Sequence, residues 1–381
     1  MIALAASATP SPLYAVYQAQ WKFSPLALTE VYAVYAFGVL ASLLVAGGVS
    51  DVVGRRPVII TAMIGLLLTL LVFMDAQGLA WLYVARAMQG ISTGLLVGAA
   101  GAALLDLHPR GDGAHAGMLN GIINTFGMGV GALVSSLLVQ WLPADLFAPY
   151  VPVSVLLLLT IVIAFRLPET VQRVPGARIS FRPPAVPRHL WRIFTLSSLG
   201  VIASWSVAGL DMALGPGIVT TMLDTTNHIA GGAFIFVVCG SAGFAQWLLR
   251  GASDRASLVA GSLSLAIGST VTSIANAHGS IAAFAVGTVL VGLGFGAAFM
   301  GALRSFTAVL EPGHRASAMS AFFTVAYLAI SVPAIGAGLA VSHLGMVDTL
   351  AWFGGGVALV AFIVAVVGWF ELRPNEPTIY G

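Results

Sequence analysis

The sequence predicts an all-α integral membrane protein, with twelve transmembrane helices arranged as two pseudo-symmetric six-helix bundles. Three observations predict it. Apolar residues make up 59% of the 381-residue chain and charged residues only 8%, against about 25% charged in a soluble domain. Twelve apolar stretches reach or approach the roughly 20 residues that cross about 30 Å of hydrocarbon. The basic residues fall in alternate connections between those stretches. No soluble fold of this length hides so much apolar surface behind so few charges.

The stretches run at about 1–17, 28–50, 57–75, 80–105, 115–141, 146–167, 191–222, 229–250, 256–276, 279–303, 317–343 and 347–370. The first is the shortest and carries Pro10 and Pro12. Its Ala6-Ser7-Ala8 mimics a signal-peptidase site, but no basic segment precedes it and the apolar run is too short for a leader. The stretch is short for a span and carries no cytoplasmic tail, so the chain is expected to start inside its first helix, through truncation or a misplaced start. Segments three, six and twelve are almost purely apolar, as lipid-facing supports should be. Segments four, five, seven, ten and eleven carry glycine and polar side chains at helical spacing. Gly90, Gly94 and Gly98 in segment four, and Gly292 and Gly296 in segment ten, are four apart, an interval that lets backbones approach closely.

Orientation follows from charge. Of the sixteen Lys and Arg residues, all but Lys22 and Arg86 lie in alternate connections or the tail: Arg55, Arg56, Arg110, Arg166, Arg173, Arg178, Arg182, Arg188, Arg192, Arg250, Arg255, Arg304, Arg315 and Arg373. Basic loops stay on the cytoplasmic side, so both termini are expected to be cytoplasmic, in a bacterial inner membrane. The net charge of +2 reflects this topology and gives no reason to expect nucleic acid. A single cysteine, Cys239, excludes an intrachain disulfide and a multi-cysteine metal site. No cofactor is expected, and membrane lipids are the expected surroundings of a monomer.

The longest charged connection holds five prolines and four arginines between Pro168 and Leu190, and reads as an extended, solvated linker. It divides the chain into a bundle at 1–167, a linker at 168–190, a second bundle at 191–371 and a tail at 372–381. Gly48 and Asp51 recur as Gly251 and Asp254, and His108-Pro109 as Glu311-Pro312, each 203 residues on.

Two motifs carry the chemistry. Gly47-Gly48-Val49-Ser50-Asp51-Val52-Val53-Gly54-Arg55-Arg56 joins segments two and three. Asp51 and Arg55 can pair at four residues' spacing. Asp106 ends segment four where the helix dipole disfavours an anion, so it needs a cation such as Arg55. Asp51 could instead approach the start of segment eleven, near Ser317. The second motif, Arg86-Ala87-Met88-Gln89, places a guanidinium inside the membrane, where it faces a cavity or partner or snorkels to headgroups.

These stretches resemble two signatures of the major facilitator superfamily of secondary transporters, G-x-x-x-D-x-x-G-R-R and R-x-x-Q-G. The resemblance implies a gating role for Gly47, Asp51, Gly54, Arg55 and Arg56, which Asp106 is expected to share as the partner of Arg55, and proton coupling for Arg86. Segment five, with Gly121, Gly127, Gly129 and Gly131, is similar to the antiporter motif of drug–proton exporters. It departs from that motif in lacking the Gly-Pro pair, since Ala132 follows Gly131.

Physical argument alone singles out Asp211, near the middle of segment seven with no charge in that span to neutralise it. It reads as a proton carrier, a contact for a cationic substrate or a polar tie between helices. Gly215-Pro216-Gly217 beyond it weakens the helix. Glu30 either pairs with Arg86 or is solvated. Gln89, Asn120, Asn124, Thr324 and Tyr327 supply uncharged polar groups on helix faces, which suits a small organic substrate as well as interhelical hydrogen bonding.

The expected function is alternating-access transport of a small organic solute, with proton-coupled export first, proton-coupled uptake or passive facilitation next, and a non-transporting receptor of the same fold as the remaining alternative. No nucleotide-binding loop, H-E-x-x-H or G-x-S-x-G motif is present, so an enzyme is not expected.

Overall fold

The computed structural model describes residues 1–107, 113–142, 146–171, 183–311 and 313–372. Every regular element among them is a helix. The first crossing is made of α1 (Ile2–Ala8) and α2 (Tyr14–Trp21). There follow α3 (Pro25–Val53), α4 (Arg55–Met74), α5 (Leu79–Asp106), α6 (Gly113–Trp141) and α7 (Val151–Ala164). The second half begins with α8 (Trp191–Ala213) and α9 (Gly215–Met222), which form one crossing. It continues through α10 (Ile229–Leu248), α11 (Asp254–His278), α12 (Ile281–Thr307), α13 (Arg315–Leu344) and α14 (Met346–Glu371). Ten of the helical stretches are long and apolar enough to span a membrane. The multi-pass, all-helical architecture expected from composition is therefore present.

Helix boundaries follow local chemistry. Ser24 caps α3 by accepting the Ala27 N–H at 3.1 Å, with Pro25 in the first turn, a position where the missing donor costs nothing. Ser253 caps α11 in the same way at 3.2 Å, and Gly279 closes its far end in the left-handed region, at φ 65°. The first and seventh crossings are interrupted for a shared reason. Proline cannot donate to the carbonyl four residues back. Pro10 and Pro12 lie between α1 and α2, and Pro216 lies one turn past the end of α8, where the chain kinks at Leu214. The expected continuous first helix is therefore two short ones.

α3 packs on α5, α5 on α4, α4 on α7 and α1 on α6. In the second half, α11 packs on α12 and α14, while α8 packs on α12 and α13. The halves meet along two seams, α3 with α13 and α6 with α10. The linker joins the halves on one side of the molecule, called here the linker side. The close approaches at Gly232 and Gly338 are on the opposite, far side: Gly232 lies against Ala132 and Ser136, and Gly338 against Leu26 and Thr29, with no room for a side chain. Gly90 and Gly94 allow α5 to lie against α3, and Gly292 and Gly296 allow α12 to lie against α10, as their spacing predicts. α4, α7 and α14 carry rows of exposed leucine, isoleucine, valine and phenylalanine, the surface a bilayer covers.

The described ends of the linker touch both halves while staying exposed at Pro168, Glu169, Pro183, Pro184 and Ala185: Glu169 and Thr170 bind the first half, and the Ala185 N–H donates to the Ser317 carbonyl at 3.3 Å. The repeated acids are not equivalent: Asp51 lies in the last turn of α3, whereas Asp254 opens α11. Residues 172–182, His108, Pro109, Arg110, Pro312 and the tail from Arg373 lie outside the described residues.

Candidate functional site

Arg86 sits in α5 with no solvent exposure, among the largest fully buried side chains. Its surroundings are set by the break in the first crossing. Pro10 has no N–H for the Ala6 carbonyl, and Gln89 Nε2 donates to that oxygen instead, at 3.0 Å. Arg86 Nη1 donates to the neighbouring Ser7 carbonyl at 2.8 Å and also to Gln89 Oε1. Ser135 of α6 donates to the Thr9 carbonyl at 2.7 Å. Three side chains thus satisfy backbone oxygens along the broken crossing, as buried carbonyls require.

Arg86 Nε donates to the Tyr14 hydroxyl. The guanidinium carbon lies 5.1 Å from the Tyr14 ring centre, 5.3 Å from Tyr35, and 5.8 Å from Tyr32 and Phe73. The charge is solvated by carbonyls and ring faces, as a desolvated guanidinium can be. No carboxylate pairs with it among the described residues. Glu30 instead accepts the Tyr83 hydroxyl at 2.7 Å, so the alternative of a Glu30–Arg86 pair is not realised.

Asp211 is the opposite case. It lies near the end of α8, three residues before the kink at Leu214, with no hydrogen bond or ion pair among the described residues. It faces a cavity of about 50 Å³ walled by α8 to α12 and α14, including Ser269, Thr272 and Ser273 of α11 and Thr288 of α12. Ser269 is 3% exposed, and its hydroxyl has no partner among the described residues. The other three hydroxyls donate to helix carbonyls: Thr272 to Gly268 at 3.0 Å, Ser273 to Ser269 at 2.8 Å, and Thr288 to Phe284 at 2.8 Å. Every described residue lining the cavity belongs to the second bundle, and Phe234 of the α10 seam helix is one of them.

The third cluster closes the linker side of the first half. Arg55 Nη1 pairs with Asp51 at 2.6 Å, and its Nε reaches Asp106 at 3.4 Å. Asp106 also accepts the Thr170 hydroxyl at 2.9 Å. Glu169 accepts the N–H groups of Arg55 and Arg56, at 2.9 and 3.2 Å, and so caps α4. Burial works against ionisation of Glu169. The backbone N–H groups of Val171, Arg55, Arg56 and Thr170 outweigh it and hold its carboxyl below the usual range. The Arg56 guanidinium donates to the Phe165 carbonyl. Gly54, at φ 108°, has the Glu169 carboxylate where a Cβ would sit, so only glycine fits. Gly47 lies two turns back along α3.

Asp51 makes no described contact with α13. Its carboxylate is half exposed and taken by Arg55, one turn away on the same surface.

The remaining polar residues are dispersed. Asn124 donates to Asn120 at 2.9 Å and accepts from the Met1 ammonium at 2.7 Å. Thr324 donates to the Ser320 carbonyl of its own helix at 2.7 Å. Tyr327 meets Trp205 edge-on at 5.2 Å and packs against the core shared by the two halves. Sequence reading passed over Glu169, Thr170, Ser135 and the α11 hydroxyls. Ser269, Thr272 and Ser273 stand at helical spacing, a signal that was present.

A family model described as Major Facilitator Superfamily matches residues 1–223. The fold is similar to that of the human organic anion transporter MFSD10 (TETRAN), with a TM-score of 0.69 and 17% identity over 96% of each chain. It is also similar to a point mutant of the nucleoside transporter NupG, with a TM-score of 0.71 and 13% identity over 97% of this chain and 96% of that one. At these identities the likeness is one of fold. No curated protein matches the sequence.

Proposed function

The chain belongs to the major facilitator superfamily, a multi-pass membrane transporter and not an enzyme, and we propose that it exports a small organic solute across the bacterial inner membrane against proton influx. The bundles at 1–167 and 191–371 rock about the seams α3–α13 and α6–α10. The glycine contacts at Gly232 and Gly338 close the far side. Arg55, Asp51 and Asp106, with Gly47, Gly54 and Arg56, stiffen the hairpin that approaches α13 when the linker side closes. Both termini are cytoplasmic in this reading, which makes the linker side the inner one.

The observation that carries coupling is Asp211. A carboxylate without a partner inside the membrane must be neutralised before it can cross a dry state, and a proton supplies that charge in each cycle. Arg86 acts differently: it holds α1 to α5 and transmits movement of the broken first crossing. Gln89 shares that task, while Asn120, Asn124, Thr324 and Tyr327 offer contacts to the solute as the seams part.

The test is proton movement in proteoliposomes challenged with organic cations, neutral drugs and metabolites, with Asp211→Asn in parallel. Solute-driven proton flux lost in the variant supports the reading. Solute flux without proton movement, unchanged by the substitution, makes the protein a facilitator and Asp211 structural. No flux with any solute, together with specific binding, favours a receptor.

A further inference from the structure

We propose that the cavity around Asp211 is a sodium site inside the second bundle, separate from the path of the organic solute. The inference rests on the reading of Asp211 as a group that must be neutralised, and goes beyond it in naming a second occupant.

Size decides first. On the measure that gives this cavity about 50 Å³, one water needs roughly 10–15 Å³, so a bare ion with one or two waters fits. Organic ligands take pockets of about 300–1,000 Å³. The solute belongs elsewhere.

The wall decides the sign and the charge. Thr272, Ser273 and Thr288 have committed their hydrogens to helix carbonyls, so toward the cavity their oxygens can only accept. A ligand that meets acceptors and a carboxylate is a cation. Oxygen ligands of this kind suit a hard ion. Asp211 is the one ionisable side chain among the described residues lining the cavity, so a single positive charge leaves the site neutral and a divalent ion does not.

Ser269 supplies an independent observation. Its buried hydroxyl lines the cavity and has no protein partner, which normally marks a missing water or ion. A proton on Asp211 needs one acceptor, and the four hydroxyl residues that line the same cavity offer oxygens for an ion as well.

The experiment is direct binding of radioactive sodium (²²Na⁺) to the purified full chain by scintillation proximity, with choline as the control cation. Saturable binding displaced by unlabelled sodium and not by choline is expected. Asp211→Asn should weaken it by at least about tenfold, equivalent to 1.4 kcal/mol. Ser269→Ala, which removes one oxygen and keeps the helix, should weaken it by a smaller factor and raise the choline-insensitive concentration needed for half-saturation. Absence of sodium binding in the unaltered chain overturns the proposal, as does binding unchanged in both variants.

The proton assay in sodium-free vesicles separates the two readings. Asp211-dependent proton flux without sodium binding overturns the sodium site and keeps the proton role. Asp211-dependent sodium binding without proton flux does the reverse.

Discussion

Each half of the molecule holds a charge inside its bundle, Arg86 fully buried and Asp211 partly so, and the two halves treat it in opposite ways. In the first half, Arg86 is enclosed by the Ser7 carbonyl, the Gln89 amide oxygen, a tyrosine hydroxyl and four aromatic rings. In the second, Asp211 faces a small cavity with no protein partner among the described residues. A guanidinium has five donors in a fixed fork, and a helix broken by proline offers a free carbonyl to meet them. The first half therefore meets its charge with protein at Nε and Nη1, while the buried Nη2 has no partner among the described residues. The second leaves its charge without a protein partner, the gap that the proposed proton or sodium ion would fill. The contrast sets a charge tied into its surroundings against one that faces a cavity.

The largest effect expected from this contrast is on stability. Arg86→Gln strips partners from Ser7, Gln89 and Tyr14, which should cost about 1–3 kcal/mol for each buried group left unsatisfied. Thermal unfolding in detergent checks it. Asp211→Asn should change stability by no more than about 1 kcal/mol, since no described contact is lost, while abolishing solute-driven proton flux. Equal destabilisation by the two substitutions would break the comparison.

Tyr14→Phe sharpens it, because the ring stays over the guanidinium and only the hydroxyl goes. A hydrogen bond to a charged group is worth about 1.5–3 kcal/mol, so a loss in that range is expected, with Tyr35→Phe smaller. On the linker side the halves differ again. The first-half hairpin is closed by Arg55 ion pairs and the Glu169 cap, whereas its counterpart uses the Ser253 cap and Arg255 stacked on Trp369, at 4.2 Å.

That last difference predicts the smallest effect, a dependence on pH. Glu169 ionises more readily folded than unfolded. Its contribution is therefore fully present above the ordinary glutamate value of about 4.3 and is lost as pH falls through the lower folded value. Proteolytic accessibility of the Gly54 hairpin should rise over that acid window, and Glu169→Gln should remove the dependence.

The fold was legible because membrane helices declare themselves by length and hydropathy, and the basic loops fix which connections share a side. The pairing of Arg55 with Asp51 and Asp106 was legible for a similar reason: i,i+4 spacing gives one contact, and an acid at a helix carboxyl end demands the other. The surroundings of Arg86 were not. Pro10 and Pro12 announce unpaired carbonyls, but which distant side chains meet them depends on how α1 lies against α5 and α6. Glu169 is 114 residues from Arg55, and no periodicity links them. The α11 hydroxyls read as ordinary helix-face polarity until the packing of six helices gathers them near Asp211.

The broken first crossing also constrains the order in which the protein is made. Pro10 and Pro12 carry no N–H, so the junction of α1 and α2 cannot satisfy all its own carbonyls from within the crossing. The oxygens freed at their junction find Arg86 and Gln89 only after the fourth crossing has left the ribosome, and Ser135 only after the fifth. During synthesis those oxygens wait for partners on helices not yet translated. Crosslinking of position 7 to position 86 in stalled nascent chains should thus begin abruptly once α5 has entered the bilayer, making the completion of α5 the committing event in biogenesis of the first half.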